Sequence, residues 1–325
     1  MQIPKTSILI LAATLALALA VARGCWHTSS VVAVISETTA QELWEGEHAG
    51  AARAAQRYGW KLYWNGPSRI EDFPGQLQIV RRVLARGVRA LILSPDHDVV
   101  LVSAVREALA DKIPVVVVGT PLAMVPGNGL TYVLNDDQMT GRMAAEFAAH
   151  QLKDGDSVLV LGINPNLLGS VQKANAFEES MATLAPNAHI EEHHSTSDSA
   201  AETEDYAEQR VRADARIRFI LALDVEQTRA GYAALINAGA EKRVHLIGCG
   251  QDLDLLHHLR FGVTDAIIAE DTNRMGEIAV ENVHHQLAGE PVAASVLVKP
   301  VLVTRENIDS TDVQRVLSMD WRVQP

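Results

Sequence analysis

Seven short, nearly unbroken apolar runs constrain this chain most, at residues 31–35, 90–93, 115–118, 158–161, 219–223, 244–247 and 266–269. Each is too short for a buried helix. Because the runs are continuous rather than alternating, they describe strands covered on both faces, as in a parallel sheet between helix layers. The segments between them carry helical spacing. Leu77, Val80 and Leu84 recur at three and four residues, and Leu101, Val105 and Leu109 at four, which makes them core stripes packing on a sheet. Gly87, Gly155 and Gly239 follow apolar helical segments, where a C-terminal cap needs positive φ. Pro114 sits just before its strand, where a missing N–H does least harm.

The pattern is βαβα repeated about four times, a break near Asn128-Gly129, and the same pattern again. At roughly 100–200 residues per domain, 325 residues make two domains. The expected fold is therefore α/β, with two doubly wound parallel-sheet lobes. Such lobes put their loops at the carboxyl ends of the strands, so a ligand held between them meets residues just after each apolar run. That rule nominates 36–39, 94–98, 119–120, 163–166, 224–227, 248–252 and 270–273.

Composition narrows the partners. With 48% hydrophobic and 21% charged residues, the chain has ordinary globular usage. The balance of 28 Lys+Arg against 40 Asp+Glu leaves a formal charge of -12, a surface that repels phosphate backbones, so nucleic acid is not an expected partner. Two distant cysteines, Cys25 and Cys249, make neither a disulfide framework nor a four-ligand zinc site.

The N-terminus reads as an address. Lys5 precedes an apolar, small-residue run over residues 8–22, the pattern of a secretory signal spanning 1–24. Ala20-Val21-Ala22 offers an A-x-A cleavage site. Cys25 lies in the sequence Ala22-Arg23-Gly24-Cys25, which resembles a lipoprotein acceptor except for its arginine. Cleavage and release, lipidation at Cys25, and an uncleaved anchor all fit; each puts the body outside the cytoplasm, away from ATP- or NAD-dependent chemistry.

Catalytic and cofactor motifs find little purchase. Gly248-Cys249-Gly250 follows a strand, but a dinucleotide fingerprint needs a third glycine where Leu253 stands. Residues 162–169 lack the Lys-Ser/Thr pair of a phosphate loop, and no G-x-S-x-G elbow is present. The adjacent pairs His193-His194, His257-His258 and His284-His285 have the wrong spacing to chelate from one helix face and read as surface residues. The acidic run Glu202, Glu204, Asp205 and Glu208 reads as a solvated helix face, and Cys249 as a small buried thiol. No cofactor and no metal is expected. Trp44, one turn into the first helix, and Trp64, at the end of the second strand, lie near the expected cleft mouth; Trp faces stack on sugar rings and on cations.

A family resemblance rests on the order of many short pieces: Val32-Ala33-Val34-Ile35, Thr38-Thr39, Leu43-Trp44, His48-Ala49-Gly50-Ala51, Gly66-Pro67-Ser68-Arg69, Ala85-Arg86-Gly87-Val88, Leu93-Ser94-Pro95 and Ile113-Pro114-Val115-Val116. Asn135-Asp136-Asp137 with Gly141, then Phe177, residues 222–226 and Ile247-Gly248 continue it. The chain resembles periplasmic sugar-binding proteins of ABC transporters, the type I group that shares its fold with LacI-like sensor domains. No helix-turn-helix precedes it, which argues against a repressor.

The resemblance implies two lobes joined by a three-segment hinge, closing on a small solute. It implies a first lobe of 31–132 plus 263–294 and a second of 135–261 plus 295–325. It also exposes departures. Where sugar binders carry Asp-Arg after the fourth strand, this chain has Gly119-Thr120; Lys173 stands for an arginine, Asp224 for an asparagine, Gly250 for an aspartate and Glu270 for a glutamine. The implied ligand-binding set is Glu37, Gln41, Trp44, His97, Thr120, Asp136, Lys173, Asp224, Gln251 and Glu270.

The function so implied is that of a monomeric, non-enzymatic extracytoplasmic receptor of an ABC importer, binding a sugar, amino sugar or polyol and docking on an inner-membrane permease. A sensor presenting solute to a chemoreceptor or kinase, a degenerate paralogue with a non-sugar ligand, and an exported enzyme using cleft carboxylates are the competing readings.

Overall fold

The structure, a computed structural model, describes residues 30–195 and 200–318; the expected signal segment and Cys25 lie outside the described residues. The first half runs β1 (Val31–Ile35), α1 (Leu43–Arg57), β2 (Lys61–Asn65), α2 (Phe73–Ala85), β3 (Ala90–Leu93), α3 (Val102–Ala110), β4 (Val115–Val118) and β5 (Leu130–Asn135). The second runs α4 (Asp137–Ala149), β6 (Ser157–Ile163), α5 (Leu168–Leu184), β7 (His189–His194), α6 (Ala200–Ala213), β8 (Ile217–Ala222), α7 (Val225–Ala238), β9 (His245–Cys249), α8 (Leu253–Arg260) and β10 (Ala266–Ala269). The chain finishes with α9 (Thr272–Ala288), β11 (Ser295–Val298), β12 (Val301–Thr304) and α10 (Thr311–Val316).

Two six-stranded sheets result, ordered β11-β5-β4-β3-β1-β2 and β12-β10-β9-β8-β6-β7. All pairs are parallel except β12, which runs antiparallel to β10 at one edge. The strand runs are apolar throughout because both faces are covered. Val32 and Val34 turn to a layer shared with α1 and α9, while Ala33 and Ile35 turn to the layer of α2 and α3. In the second sheet Val158 and Val160 pack with α4 and α5, and Leu159 and Leu161 with α6 and α7.

The strands absent from the apolar runs have physical reasons to be quiet in sequence. β7 (HIEEHH) is an edge strand, with His194 exposed and His193 turned inward against Tyr206, ring centroids 4.5 Å apart. β11 and β12 are short edge strands, one in each sheet. β5 is buried, but Thr131 and Tyr132 break its apolar run, and Tyr132 donates to the Met124 carbonyl at 2.8 Å.

Sheet pairing also redraws the lobe division expected from sequence. The chain crosses between sheets after β5, after β10, and through Lys299-Pro300 between β11 and β12. The expected first-lobe segment 263–294 is split, because β10 pairs in parallel with β9 of the second sheet while α9 packs on α1, β4 and β5 of the first. Likewise β11, expected in the second lobe, pairs with β5.

The helix that carries Trp44 is fixed by a close crossing. A Cβ at Gly276 of α9 would stand 2.2 Å from the Glu47 carbonyl oxygen of α1, and one at Gly50 1.9 Å from the Asn273 carbonyl oxygen. Backbones this close leave no room for a methyl group. Gly276→Ala should therefore force α1 and α9 apart and lower stability by about 2–3 kcal/mol, measured as a denaturant midpoint.

On the sheet side of the same helix turn, the Glu47 carboxyl is fully buried and accepts from Ser94 Oγ at 2.8 Å. Burial pushes it up to about 8, with the Ser94 hydrogen bond opposing the shift. The folded state thus holds this proton well above the ordinary value of 4.5, and between those two values it binds more protons than the unfolded chain. Stability should fall as pH rises from about 4.5 and level off above about 8. Glu47→Gln lacks this slope, so its stability relative to wild type should rise through that window by roughly 5 kcal/mol, read from urea unfolding at several pH values.

Candidate functional site

Both lobes aim the carboxyl ends of their parallel strands at each other, and a cavity of about 320 Å³ lies between them. From the first lobe come Glu37 after β1, Gln41, Leu43 and Trp44 at the start of α1, Gly119 to Pro121 after β4, and Asn135 at the end of β5. From the second come Asp136 to Gln138, Leu167 to Ser170, Gln172 and Lys173, Leu223 to Glu226, Gly250 and Glu270.

Lys173 is the organising group of the floor. It reaches from α5 to Asp137 Oδ1 at 3.4 Å and Glu270 Oε1 at 3.2 Å, and it also donates to the Leu223 carbonyl at 3.4 Å. The residue as a whole is 9% exposed. Burial works against the charge, but the carboxylates of Asp137 and Glu270 outweigh it and hold the pKa above its ordinary value. Cys249 lies within the same electrostatic environment, and burial pushes its thiol up to about 12, so it is inert as a nucleophile. Asp137 opens α4 just past the first crossing, and Glu270 lies at the second, so one ammonium joins two of the three crossings.

Two other cleft carboxylates also serve as helix caps. Asp136 accepts from the Met139 N–H at 2.9 Å at the start of α4, and Asp224 from the Gln227 N–H at 2.8 Å at the start of α7. Gly119 adopts φ 77°, in the left-handed region, and a Cβ there would stand 3.2 Å from Trp44 Cη2. The Trp44 indole occupies space beside Gly119 that a side chain at that position would need. The ring is 6% exposed, a wall of the cleft more than an open platform.

Eight of the ten residues expected from sequence line this cavity: Glu37, Gln41, Trp44, Thr120, Asp136, Lys173, Asp224 and Glu270. Gln251 does not. Its amide donates to the Glu270 carbonyl at 2.8 Å and accepts from the Glu270 N–H at 3.0 Å, so it braces the ends of β9 and β10 from behind. His97 lies outside as well, in an adjoining groove, beside Asp98 at 3.0 Å and edge-on to Phe73. Trp64 stacks on His48 at 4.5 Å and is no part of the cleft. Sequence reasoning missed Asn135 and Asp137 as lining residues because β5 is not an unbroken run; the motif Asn135-Asp136-Asp137 was the signal that marked them.

This geometry defines a type I periplasmic binding protein: two parallel α/β lobes, three crossings, and a cavity at the facing strand ends. The chain belongs to the periplasmic binding protein domain family, whose sequence profile matches residues 32–291. The D-ribose/D-allose-binding protein of Pseudomonas aeruginosa is 26% identical over 46% of this chain and 49% of its own length. The ribose import binding protein of Salmonella typhimurium is 22% identical over 85% of this chain and 90% of its own. Among solved structures, an ABC transporter solute-binding protein from Agrobacterium vitis bound to α-D-tagatopyranose superposes with a TM-score of 0.79 at 19% identity, covering 88% of this chain and 98% of its own. A carbohydrate transporter solute-binding protein from Agrobacterium radiobacter in complex with D-arabinose gives 0.78 at 21%, covering 90% and 99%.

Removing Lys173 would leave two carboxylates facing each other without their shared cation. Lys173→Met should destabilise the protein by about 3–5 kcal/mol, and adding Glu270→Gln should recover part of that loss; urea unfolding of the single and double variants measures both.

Proposed function

We propose that this protein is the extracytoplasmic receptor of an ABC importer, a monomer without chemistry of its own that captures a small polyhydroxy solute between its lobes. The observation that carries this reading is the cavity of about 320 Å³ at the facing strand ends of two lobes joined by three crossings. Its volume sits at the small end of the range for small-molecule sites, suited to a monosaccharide-sized ligand. Its lining mixes an indole with carboxylates, amides and hydroxyls, which suits a ligand with apolar C–H faces and many hydroxyl groups. Relatives and structural neighbours named for ribose, allose, tagatose and arabinose support the same solute class.

In this reading Trp44 shapes one wall, while Asp224, Asp136 and Glu270 accept hydrogen bonds from hydroxyls and Lys173 donates one. Glu37, Gln41 and Thr120 meet the solute from the other lobe. Closure then brings both lobes into the arrangement that an inner-membrane permease recognises. An exported body, with Cys25 as a lipid anchor or the leader removed, puts the receptor where the solute is.

Refolded protein freed of carried-over ligand should respond to a panel of monosaccharides, amino sugars and polyols in a thermal shift assay. A ligand at about 100 times its dissociation constant should add about 2.7 kcal/mol, or roughly 5–10 °C. Asp224→Ala and Trp44→Ala should each weaken the hit by about tenfold or more in calorimetry. Silence across the panel from demonstrably folded protein would overturn the reading.

A further inference from the structure

A second space adjoins the cavity: a groove of about 300 Å³ that shares Glu37, Thr120 and Leu167 with it. The two volumes are nearly equal, and each has the size of a site for one sugar ring. The neck where they meet is built from both lobes, Glu37 and Thr120 following strands of the first sheet and Leu167 a strand of the second. Its first-lobe wall is short in side chain. Gly119 has none, and Thr120 ends in a hydroxyl that makes no hydrogen bond among the described residues.

The groove carries the groups that a second ring needs. Phe73, the first residue of α2, meets the His97 ring edge-on with centroids 5.2 Å apart, so two aromatic rings stand in one wall. His97 Nδ1 is engaged, at 3.1 Å from the Val99 N–H and 3.0 Å from Asp98, while Nε2 meets no partner among the described residues. Asn164 and Asn166 come from the second lobe, and the side-chain amide of Asn166 is likewise without a partner there. Amides and imidazoles both donate and accept, which matches the hydroxyls of a sugar. A ring in this groove is met by both lobes, as a ring in the cavity is, so one closing motion engages the two together.

Another groove, of about 890 Å³, meets the cavity at Gln41, Leu43, Val225 and Glu226. It offers no Phe, Tyr or Trp. Its Arg229 pairs with Glu226 at 2.7 Å and with Asp252, and its Glu42 accepts from the Leu253 N–H at 2.8 Å. Those groups are spent on one another, and the groove beside Phe73 is the better furnished of the two.

We propose that the cleft takes a disaccharide: one ring in the cavity against Trp44, the glycosidic linkage passing Thr120 and Leu167, and the second ring in the groove beside Phe73 and His97. This rests on the reading of the cleft as a carbohydrate site and specifies the length of the solute. A single ring binds more weakly, through one half of the site. Joining two rings makes the second contact intramolecular and raises the affinity above that of either part.

Calorimetry on ligand-stripped protein tests it, with maltose, cellobiose, lactose, melibiose, trehalose and xylobiose read against D-glucose, D-galactose and D-xylose. At least one disaccharide should bind about tenfold or more tighter than each of its component sugars. His97→Ala and Asn166→Ala should each lower that disaccharide-to-monosaccharide affinity ratio several-fold, because each removes hydrogen bonds to the second ring. Should His97→Ala fail to fold, Asn166→Ala, at an exposed loop position, decides alone. A gain that survives the folded variants would overturn the assignment of the second ring to this groove. No gain for any disaccharide would overturn the inference, and a hit among monosaccharides or polyols would then leave the carbohydrate reading standing. Silence from both sets of sugars and from the polyols would overturn both.

Discussion

A single buried ammonium holds the working part of this molecule together. Lys173 projects from α5 to where the chain leaves β5 and β10, and its pairs with Asp137 and Glu270 join two of the three crossings between the lobes. Gln251 reinforces the same place by pairing with both backbone groups of Glu270. Because the cluster is buried, each member depends on the others. Lys173 retains its charge against desolvation because two carboxylates face it, and those carboxylates sit side by side because one cation lies between them. The floor of the cleft and the pivot of the hinge are therefore one structure.

Much of the fold was legible in sequence because parallel strands covered on both faces must be apolar at every position. β1, β3, β4 and β10 fall on the residues their apolar runs mark, and β6, β8 and β9 lie within one or two residues of them. Edge strands lack that constraint: β7 carries glutamate and histidine on a rim half open to solvent, and β11 and β12, partly exposed at the other edges, each carry a polar residue beside three apolar ones. The lobe division was less legible still. Nothing local in residues 266–269 tells which sheet they join; that is decided by pairing with β9, a contact distant in sequence.

The cleft was legible to the extent that strand ends are. Glu37, Thr120, Asp224 and Glu270 follow apolar runs and do line the cavity, whereas Gln251 and His97 satisfy the same rule and turn elsewhere, one into a backbone brace and one into a side groove. Position after a strand fixes where a Cα lies, and side-chain direction is settled by neighbours. Gly119 shows this coupling most clearly. Its left-handed backbone and the Trp44 ring beside it belong together, since a side chain at 119 would meet the indole.

Hydrogen–deuterium exchange with and without a saturating ligand from the binding screen tests the central claim most directly, that one cavity engages both lobes at once. The account predicts slowed exchange in 119–121 and 134–135 of the first lobe together with 136–138, 167–173 and 223–226 of the second. Binding accompanied by protection in one lobe alone, or only in the groove around His97, would contradict it.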